Sequence, residues 1–190
     1  LGLLFGSISG YFGGIIDEIF MRITDVFLSI PPILLALIVA FSINRGINGC
    51  IIAIAISTWP RYARLTRGKT ISLRNAQFIE AAKVIGCSPM HIVRRHILPN
   101  CMSPIVIQAS LDMGSLVLLI AALGFIGIGV QSPIPEWGQM ISAARSYIPR
   151  WWWYPVFPGL FLTYAVIGFN LFGDGVRDIL DPKFRRSGAL

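Results

Sequence analysis

Long apolar stretches without charge alternate with short charged segments along this chain. Residues 26–44, 113–135 and 151–173 contain no Asp, Glu, Lys or Arg over 19, 23 and 23 positions, and residues 46–60 add a shorter stretch of 15. A helix that crosses the hydrocarbon core of a bilayer needs about 20 residues, at roughly 1.5 Å of rise each. The pattern predicts five membrane-spanning helices, at residues 1 to about 16, 26–43, 47 to about 63, 104–130 and 152–173.

The composition supports a membrane protein. Of the 190 residues, 55% are hydrophobic and 13% are charged, and the mean hydropathy is +0.71. Soluble domains carry about 25% charged residues, so about half of the usual charge is missing. The three cysteines form no Cys-x-x-Cys pair. These numbers exclude a soluble globular domain, a disordered chain and a disulfide scaffold, and they predict an all-α integral membrane protein.

The basic residues predict how the chain is oriented. Residues 61–95 hold eight of the sixteen Lys and Arg residues against one acid, Glu80. Because cytoplasmic loops of membrane proteins are enriched in Lys and Arg, this segment is predicted to be cytoplasmic. Alternation then places residues 17–25 inside and the Arg45 turn and residues 131–151 outside. The C-terminal tail returns to the inside with its own basic residues, Arg177, Lys183, Arg185 and Arg186. The net charge of +7 is therefore a signal of topology rather than of nucleic-acid binding.

Residues 74–99 are too polar to span a membrane, but they are patterned like helices. Apolar residues recur with helical spacing at Phe78, Ala81, Ala82 and Ile85, which predicts an amphipathic helix. Gly86 is placed to end that helix, and Ser88 followed by Pro89 is typical of the start of a second one. Leu98-Pro99 is predicted to stop the second helix. On periodicity alone, an amphipathic helix lying on anionic lipid is an equal alternative.

The order of residues in this segment resembles a known family motif. Glu80-Ala81-Ala82, then Gly86, then Ile97-Leu98-Pro99 is similar to the EAA motif in permease subunits of binding-protein-dependent ABC importers. The ending His-Ile-Leu-Pro-Asn at residues 96–100 is similar to the dipeptide, oligopeptide and nickel branch. Stretches within residues 10–22, 124–138 and 169–182 resemble other segments of the same branch, so the resemblance covers nearly the whole chain.

The resemblance implies the type I ABC importer permease fold, with six spans of which the first is absent here. It implies one permease domain over residues 1–190, N-terminally incomplete because the chain opens with Leu1 inside an apolar stretch. The expected partners are a second permease subunit in a heterodimer, two cytoplasmic ATPase subunits, an extracytoplasmic solute-binding protein and membrane lipid, without nucleic acid. ATP and Mg²⁺ are expected to be bound by the ATPase, and this chain is expected to bind no cofactor. The protein is expected in the cell membrane, with the EAA segment and the C-terminus on the cytoplasmic side. The residues expected to couple to the ATPase are Glu80, Ala81, Ala82, Gly86, Ile97, Leu98 and Pro99.

The implied function is ATP-driven import of peptides or a related small solute, with nickel as one possibility. Two other classes remain as alternatives, a passive channel and an intramembrane enzyme. No Gly-Lys-Ser/Thr phosphate loop occurs in the sequence, so the chain is not itself the ATPase, and no metal site is expected from its two histidines. Asp112 is the one carboxylate well inside a predicted span. It either lines the transport pathway or is a structural residue near the cytoplasmic end, bonded to a neighbouring helix or to water, and we favour the structural interpretation.

Overall fold

The computed structural model describes residues 1–43 and 46–180, and every regular element in these ranges is helical. The all-α prediction is therefore confirmed. In chain order the helices are α1 (Gly2–Phe12), α2 (Gly14–Ser29), α3 (Pro32–Ile43), α4 (Ile47–Arg74), α5 (Gln77–Val84), α6 (Pro89–Ile92), a π-helical turn (Val93–Ile97), α7 (Leu98–Ile126), α8 (Trp137–Ala144), a 3₁₀ turn (Arg145–Tyr147) and α9 (Trp153–Leu180).

The helices form two compact units. The first unit consists of Leu1–Ile30 and Thr58–Val106, and the second consists of Pro31–Ser57 and the described part of Ile107–Leu190. The chain passes between them three times, and a proline lies close to each passage: Pro31, Pro60 within α4 and Pro104 within α7. Since proline has no N–H to donate, the hydrogen-bond ladders of α4 and α7 are interrupted near the passages.

In the first unit, α1 lies against α4 through glycines spaced four residues apart. A Cβ atom built on Gly6 would lie 2.7 Å from Cβ of Thr66 and 2.9 Å from the backbone nitrogen of Arg67. Gly2 and Gly10 meet the same helix one turn to either side of Gly6. Small residues at such a crossing let two backbones approach closely, and this approach fixes α1 on α4.

Charged side chains fix α2 to α4 in the same unit. The guanidinium of Arg67 donates from Nε and Nη2 to the two carboxylate oxygens of Asp17, each at 2.6 Å. The hydroxyl of Ser9 on α1 also donates to Asp17. Nearer the other end of α2, Nη2 of Arg64 donates to Asp25 at 2.6 Å. The paired, bidentate geometry around Asp17 orients α2 more strongly than a single ion pair would.

The second unit is also built on small residues. Its buried cluster consists of Ala36, Ala40, Cys50, Ala53 and Leu123. Between α7 and α9, a Cβ on Gly173 would lie 2.8 Å from the carbonyl oxygen of Ser110. Helix α8 is capped by the carboxylate of Glu136, which accepts from the backbone N–H groups of Gly138 and Gln139 at 2.8 Å.

The spans differ from the predicted five. By length and composition, two described helical stretches can cross a membrane, the continuous Pro89–Ile126 and Trp153–Leu180. A third candidate is the pair Gly14–Ser29 and Pro32–Ile43, which is bent by 92°. Helix α4 contains the predicted span 47–63 but does not satisfy the same criterion, because its second half is polar and basic.

Two predicted boundaries are wrong for identifiable backbone reasons. The span expected at residues 1–16 is broken where Gly13 and Gly14 both adopt positive φ, at 68° and 56°. The segment 17–25, expected as a loop, belongs to helix α2. At the double proline, where a kink or a helix start is expected, α2 has ended at Ser29 and α3 begins at Pro32. Arg45 in the predicted turn and the tail residues Lys183, Arg185 and Arg186 lie outside the described residues.

The glycine contact between α1 and α4 can be tested by adding side-chain volume. Gly6→Val is expected to lower the free energy of unfolding by about 1–3 kcal/mol, because overpacking forces the backbones apart. Gly68→Ala, in an exposed part of α4 with no atom within 4 Å of the added Cβ, should leave stability unchanged or raise it slightly. Thermal unfolding of the two variants in one detergent measures the difference. Equal melting temperatures would contradict the close approach.

Candidate coupling segment

Residues 74–99, the coupling segment, form the predicted helix, glycine turn and helix. Helix α5 ends before Gly86, whose φ of 84° lies in the left-handed region that favours glycine. Ser88 then caps α6, its hydroxyl oxygen accepting from the backbone N–H of His91 at 3.4 Å, with Pro89 at the first helical position. The local chemistry read from the sequence is therefore confirmed at each of these positions.

The second helix does not stop at Leu98-Pro99 as predicted. It passes through the π-helical turn Val93–Ile97 into α7, so that Pro89–Ile126 is continuous. The N–H of Leu98 donates to the carbonyl of Val93, five residues earlier. The widened turn accommodates Pro99 in the first turn of α7, where a missing N–H is tolerated.

The inner face of the coupling segment is buried. Ile79 and Ala82 of α5 pack with Ile92, Val93 and Ile97, and the cluster is completed by Tyr11 of α1 and Cys101 of α7. Thr70 of α4 contacts Cys101, with its Oγ1 3.7 Å from the Sγ atom. The coupling segment is thus anchored to the rest of the first unit through its apolar interior.

The outer face carries large apolar side chains that the first unit leaves largely or partly exposed. Val84 is 87% exposed and Ile85 is 78% exposed, while Phe78 and Met90 are 43% and 47% exposed. We call these four residues the apolar tip. Exposed apolar residues that neighbour one another, as Val84 and Ile85 do in the chain, mark interaction surfaces more often than scattered single residues do.

The predicted helix is present, but the face that the chain itself buries is not the one marked by the apolar periodicity. Of Phe78, Ala81, Ala82 and Ile85, only Ala82 is buried, because the segment packs through Ile79 and Ala82 instead. Periodicity shows which residues share a face, but not whether that face is covered within the chain. The apolar spacing from Ile79 to Ala82 was the available signal for the inner face, and the sequence reasoning missed it.

The motif residues divide between the two faces. Ala82 and Ile97 are buried and Leu98 is half-buried against the same cluster. The remaining members are exposed, namely Glu80, Ala81, Gly86 and Pro99. The structure therefore brings the motif together as one folded segment, with some members holding its shape and others presented outward.

Asp112 lies on the part of α7 that belongs to the second unit. It is 8% exposed, and its Oδ1 accepts a hydrogen bond from Nε2 of Gln108 at 3.0 Å. This partner lies one turn away on the same helix, so both the pathway-lining and the structural role of this carboxylate stay predictions. Among the described residues, no group of three or more His, Cys, Asp or Glu side chains is placed to hold a metal ion.

The division into inner and outer faces predicts that substitutions on the inner face lower stability and that those on the outer face hardly change it. Ile97→Ala is expected to lower the free energy of unfolding by about 2–5 kcal/mol, because it opens a cavity in a buried cluster. Ile85→Ala, on the exposed tip, should change it by less than about 0.5 kcal/mol. Thermal unfolding in detergent measures both variants. A comparable loss at Ile85 would show that the tip is packed within the chain.

Comparison with known proteins connects this geometry to a family. Residues 2–186 match the family described as the binding-protein-dependent transport system inner membrane component. The chain is 46% identical over 183 residues to the probable D,D-dipeptide transport system permease protein DdpC of Escherichia coli, covering 96% of this chain and 61% of that protein. It is 41% identical over 185 residues to the glutathione transport system permease protein GsiD of Pectobacterium atrosepticum, covering 97% of this chain and 62% of that protein.

A solved structure shares the fold. The chain is similar to a chain of the MetNI methionine ABC transporter in its inward-facing conformation, with a TM-score of 0.67 and 23% identity over 95% of this chain and 89% of that one. This likeness confirms the predicted type I ABC importer permease fold. The chain spans about three fifths of the length of the two curated relatives. By its match over nearly all of its length, it belongs to the family of inner-membrane components of binding-protein-dependent transport systems.

Proposed function

We propose that this chain forms half of the translocation pathway of an ATP-driven importer and couples to a cytoplasmic ATPase through the apolar tip. The observation that carries the proposal is the contrast between the two faces of the coupling segment. Its inner face is fully buried around Ile79 and Ile97, whereas Val84 and Ile85 are almost fully exposed. A rigid base with an uncovered apolar end is what a docking element requires.

The exposed tip favours a protein partner. Covering Val84 and Ile85 removes apolar surface from water, which stabilises a complex in proportion to the area buried. Glu80, exposed on the same helix, offers a carboxylate to basic side chains or backbone donors of the partner. Ala81 is small enough to let the partner approach α5 closely, and Gly86 permits the turn that separates the two helices.

The anchoring of the segment supports transmission of force. A push on the tip reaches α1 through Tyr11 and α7 through Cys101, because both belong to the buried cluster of the segment. From α1 it reaches α4 through the glycine contact and α2 through Asp17. We infer that ATP-driven closure of the ATPase displaces the first unit and switches the permease between inward- and outward-facing states.

The substrate class follows from the relatives. One is named for D,D-dipeptides and another for glutathione, itself a short peptide. We propose short peptides as the substrates. Neither of these two relatives is named for nickel, so nickel transport is not supported. The further partners proposed are an extracytoplasmic solute-binding protein, a second permease subunit and a pair of ATPases that bind ATP and Mg²⁺. The basic coupling segment and the C-terminus lie on the cytoplasmic side of the cell membrane in this proposal.

Two other classes of function are less well supported. A passive channel would need no docking element, and so it leaves the apolar tip unexplained. An intramembrane enzyme needs a nucleophile with a base, a carboxylate pair or a metal cluster within its spans. The membrane-depth carboxylate singled out from the sequence, Asp112, is bonded to Gln108, and that pair supplies none of these arrangements.

Replacing an apolar tip residue by an acid tests the proposal. Ile85→Asp in the assembled transporter is expected to reduce the amount of ATPase that co-purifies with the permease by about tenfold or more, since it places an unpaired charge in an apolar contact. Ile85→Met keeps the apolar character and should retain the ATPase. The melting temperature of the permease alone should be the same for both variants. Full retention of the ATPase and coupled transport by Ile85→Asp would refute the docking role.

A further inference from the structure

A cleft with basic side chains in its lining includes Met90 of the apolar tip. It has a volume of about 390 Å³ and is lined by Ser88, Met90, His91, Arg94 and Arg95. We call it the basic cleft. Ser88 and Met90 follow Ile85 by three and five residues, so the lining of the cleft begins close to Val84 and Ile85 along the chain.

The basic side chains of the cleft project from a backbone that buried neighbouring residues fix in place. His91, Arg94 and Arg95 are exposed, whereas the intervening Ile92 and Val93 are 1% and 2% exposed. The imidazole of His91 lies 6.1 Å from that of His96, which in turn lies 6.4 Å from the ring of Phe78. The backbone that carries both arginines is therefore fixed, although their side chains extend into solvent.

The positive charge of the cleft is not compensated within the part of the chain that the structure describes. The described ion pairs engage Arg22, Arg64 and Arg67, all on α2 and α4. Neither Arg94 nor Arg95 is paired with a carboxylate in residues 1–43 and 46–180. The hydroxyl oxygen of Ser88 accepts from the N–H of His91, which leaves its own O–H to donate into the cleft.

We infer that the basic cleft binds a carboxylate side chain of the docked ATPase, an inference that rests on the proposed coupling function. An arginine guanidinium matches a carboxylate with two parallel hydrogen bonds, and Ser88 and His91 add further donors. Met90 forms an apolar wall and connects the cleft to the apolar tip. Docking of the tip excludes water from this wall, and an ion pair is stronger where water is excluded.

The same cations could attract an anionic lipid headgroup. Two observations favour the ATPase: the cleft has an exposed apolar residue, Met90, in its lining, and it begins three residues after Ile85 in the chain. A surface that docks on protein at Ile85 would carry Ser88 and Met90, only a few residues away, into the same contact. Lipid binding is therefore kept as an outcome that would overturn the inference.

The test reverses the charge of the cleft in the whole transporter. Arg94→Glu combined with Arg95→Glu is expected to weaken retention of the ATPase by about tenfold or more, because attraction becomes repulsion. Arg94→Lys with Arg95→Lys keeps the charge but loses the planar fork, and it should give an intermediate loss. Arg22→Glu is the matched control, since the Arg22 side chain is 77% exposed in the same unit, and it should retain the ATPase. In the unmodified transporter, retention should fall as sodium chloride is raised, whereas in the reversed variant it should stay low or rise, because salt then screens a repulsion.

The outcomes separate the cleft from the proposed function. If Ile85→Asp releases the ATPase while the reversed variant retains it, the cleft inference fails and the coupling function stands. If both variants retain the ATPase, the cleft inference and the coupling function both fail. A further outcome is that the reversed variant loses the ATPase only in vesicles that contain phosphatidylglycerol and retains it in phosphatidylcholine. That result would assign the cleft to lipid and overturn the inference. Should the reversed variant fold poorly, Arg94→Gln with Arg95→Gln takes its place, and unchanged retention by that variant would refute the carboxylate site.

Discussion

Burial of the inner face of the coupling segment is the interaction on which the rest of this structure depends. Ile79, Ile92 and Ile97 come from α5, α6 and the π-helical turn, yet they share one cluster with Tyr11 of α1. Helix α5 has only eight residues, and without that cluster it would be too short to be stable in water. With it, the segment is a fixed part of the first unit, and its remaining apolar residues are free to meet a partner.

The rest of the first unit reinforces that fixed position by other means. Glycines bring α1 against α4 without side chains between the backbones, and Asp17 joins α1, α2 and α4 through its bonds to Ser9 and Arg67. Apolar packing, close backbone approach and a bidentate ion pair therefore act on the same group of helices. A unit held in three independent ways is suited to move as one body when it is pushed at the apolar tip.

Much of the fold and of the candidate site could be read from the sequence, and the failures have physical causes. The glycine turn at Gly86 and the cap at Ser88 were predictable because each depends on local chemistry. The span boundaries were not, since hydropathy does not register the positive φ angles at Gly13 and Gly14. The face of α5 that the chain itself covers was not identified, because an amphipathic pattern does not reveal which apolar residues another helix covers. The π-helical turn before Pro99 carried no recognisable signal.

The central claim is that the outer face of the coupling segment is covered by the ATPase while its inner face is already buried. Amide hydrogen exchange of the permease, alone and assembled with its ATPase, measures this most directly. Assembly with the ATPase should slow amide hydrogen exchange in the peptides that contain Val84, Ile85 and Met90. Exchange around Ile97 should be slow in both states because that residue is buried within the chain. Unchanged exchange at the tip, or rapid exchange around Ile97 in the permease alone, would contradict the account.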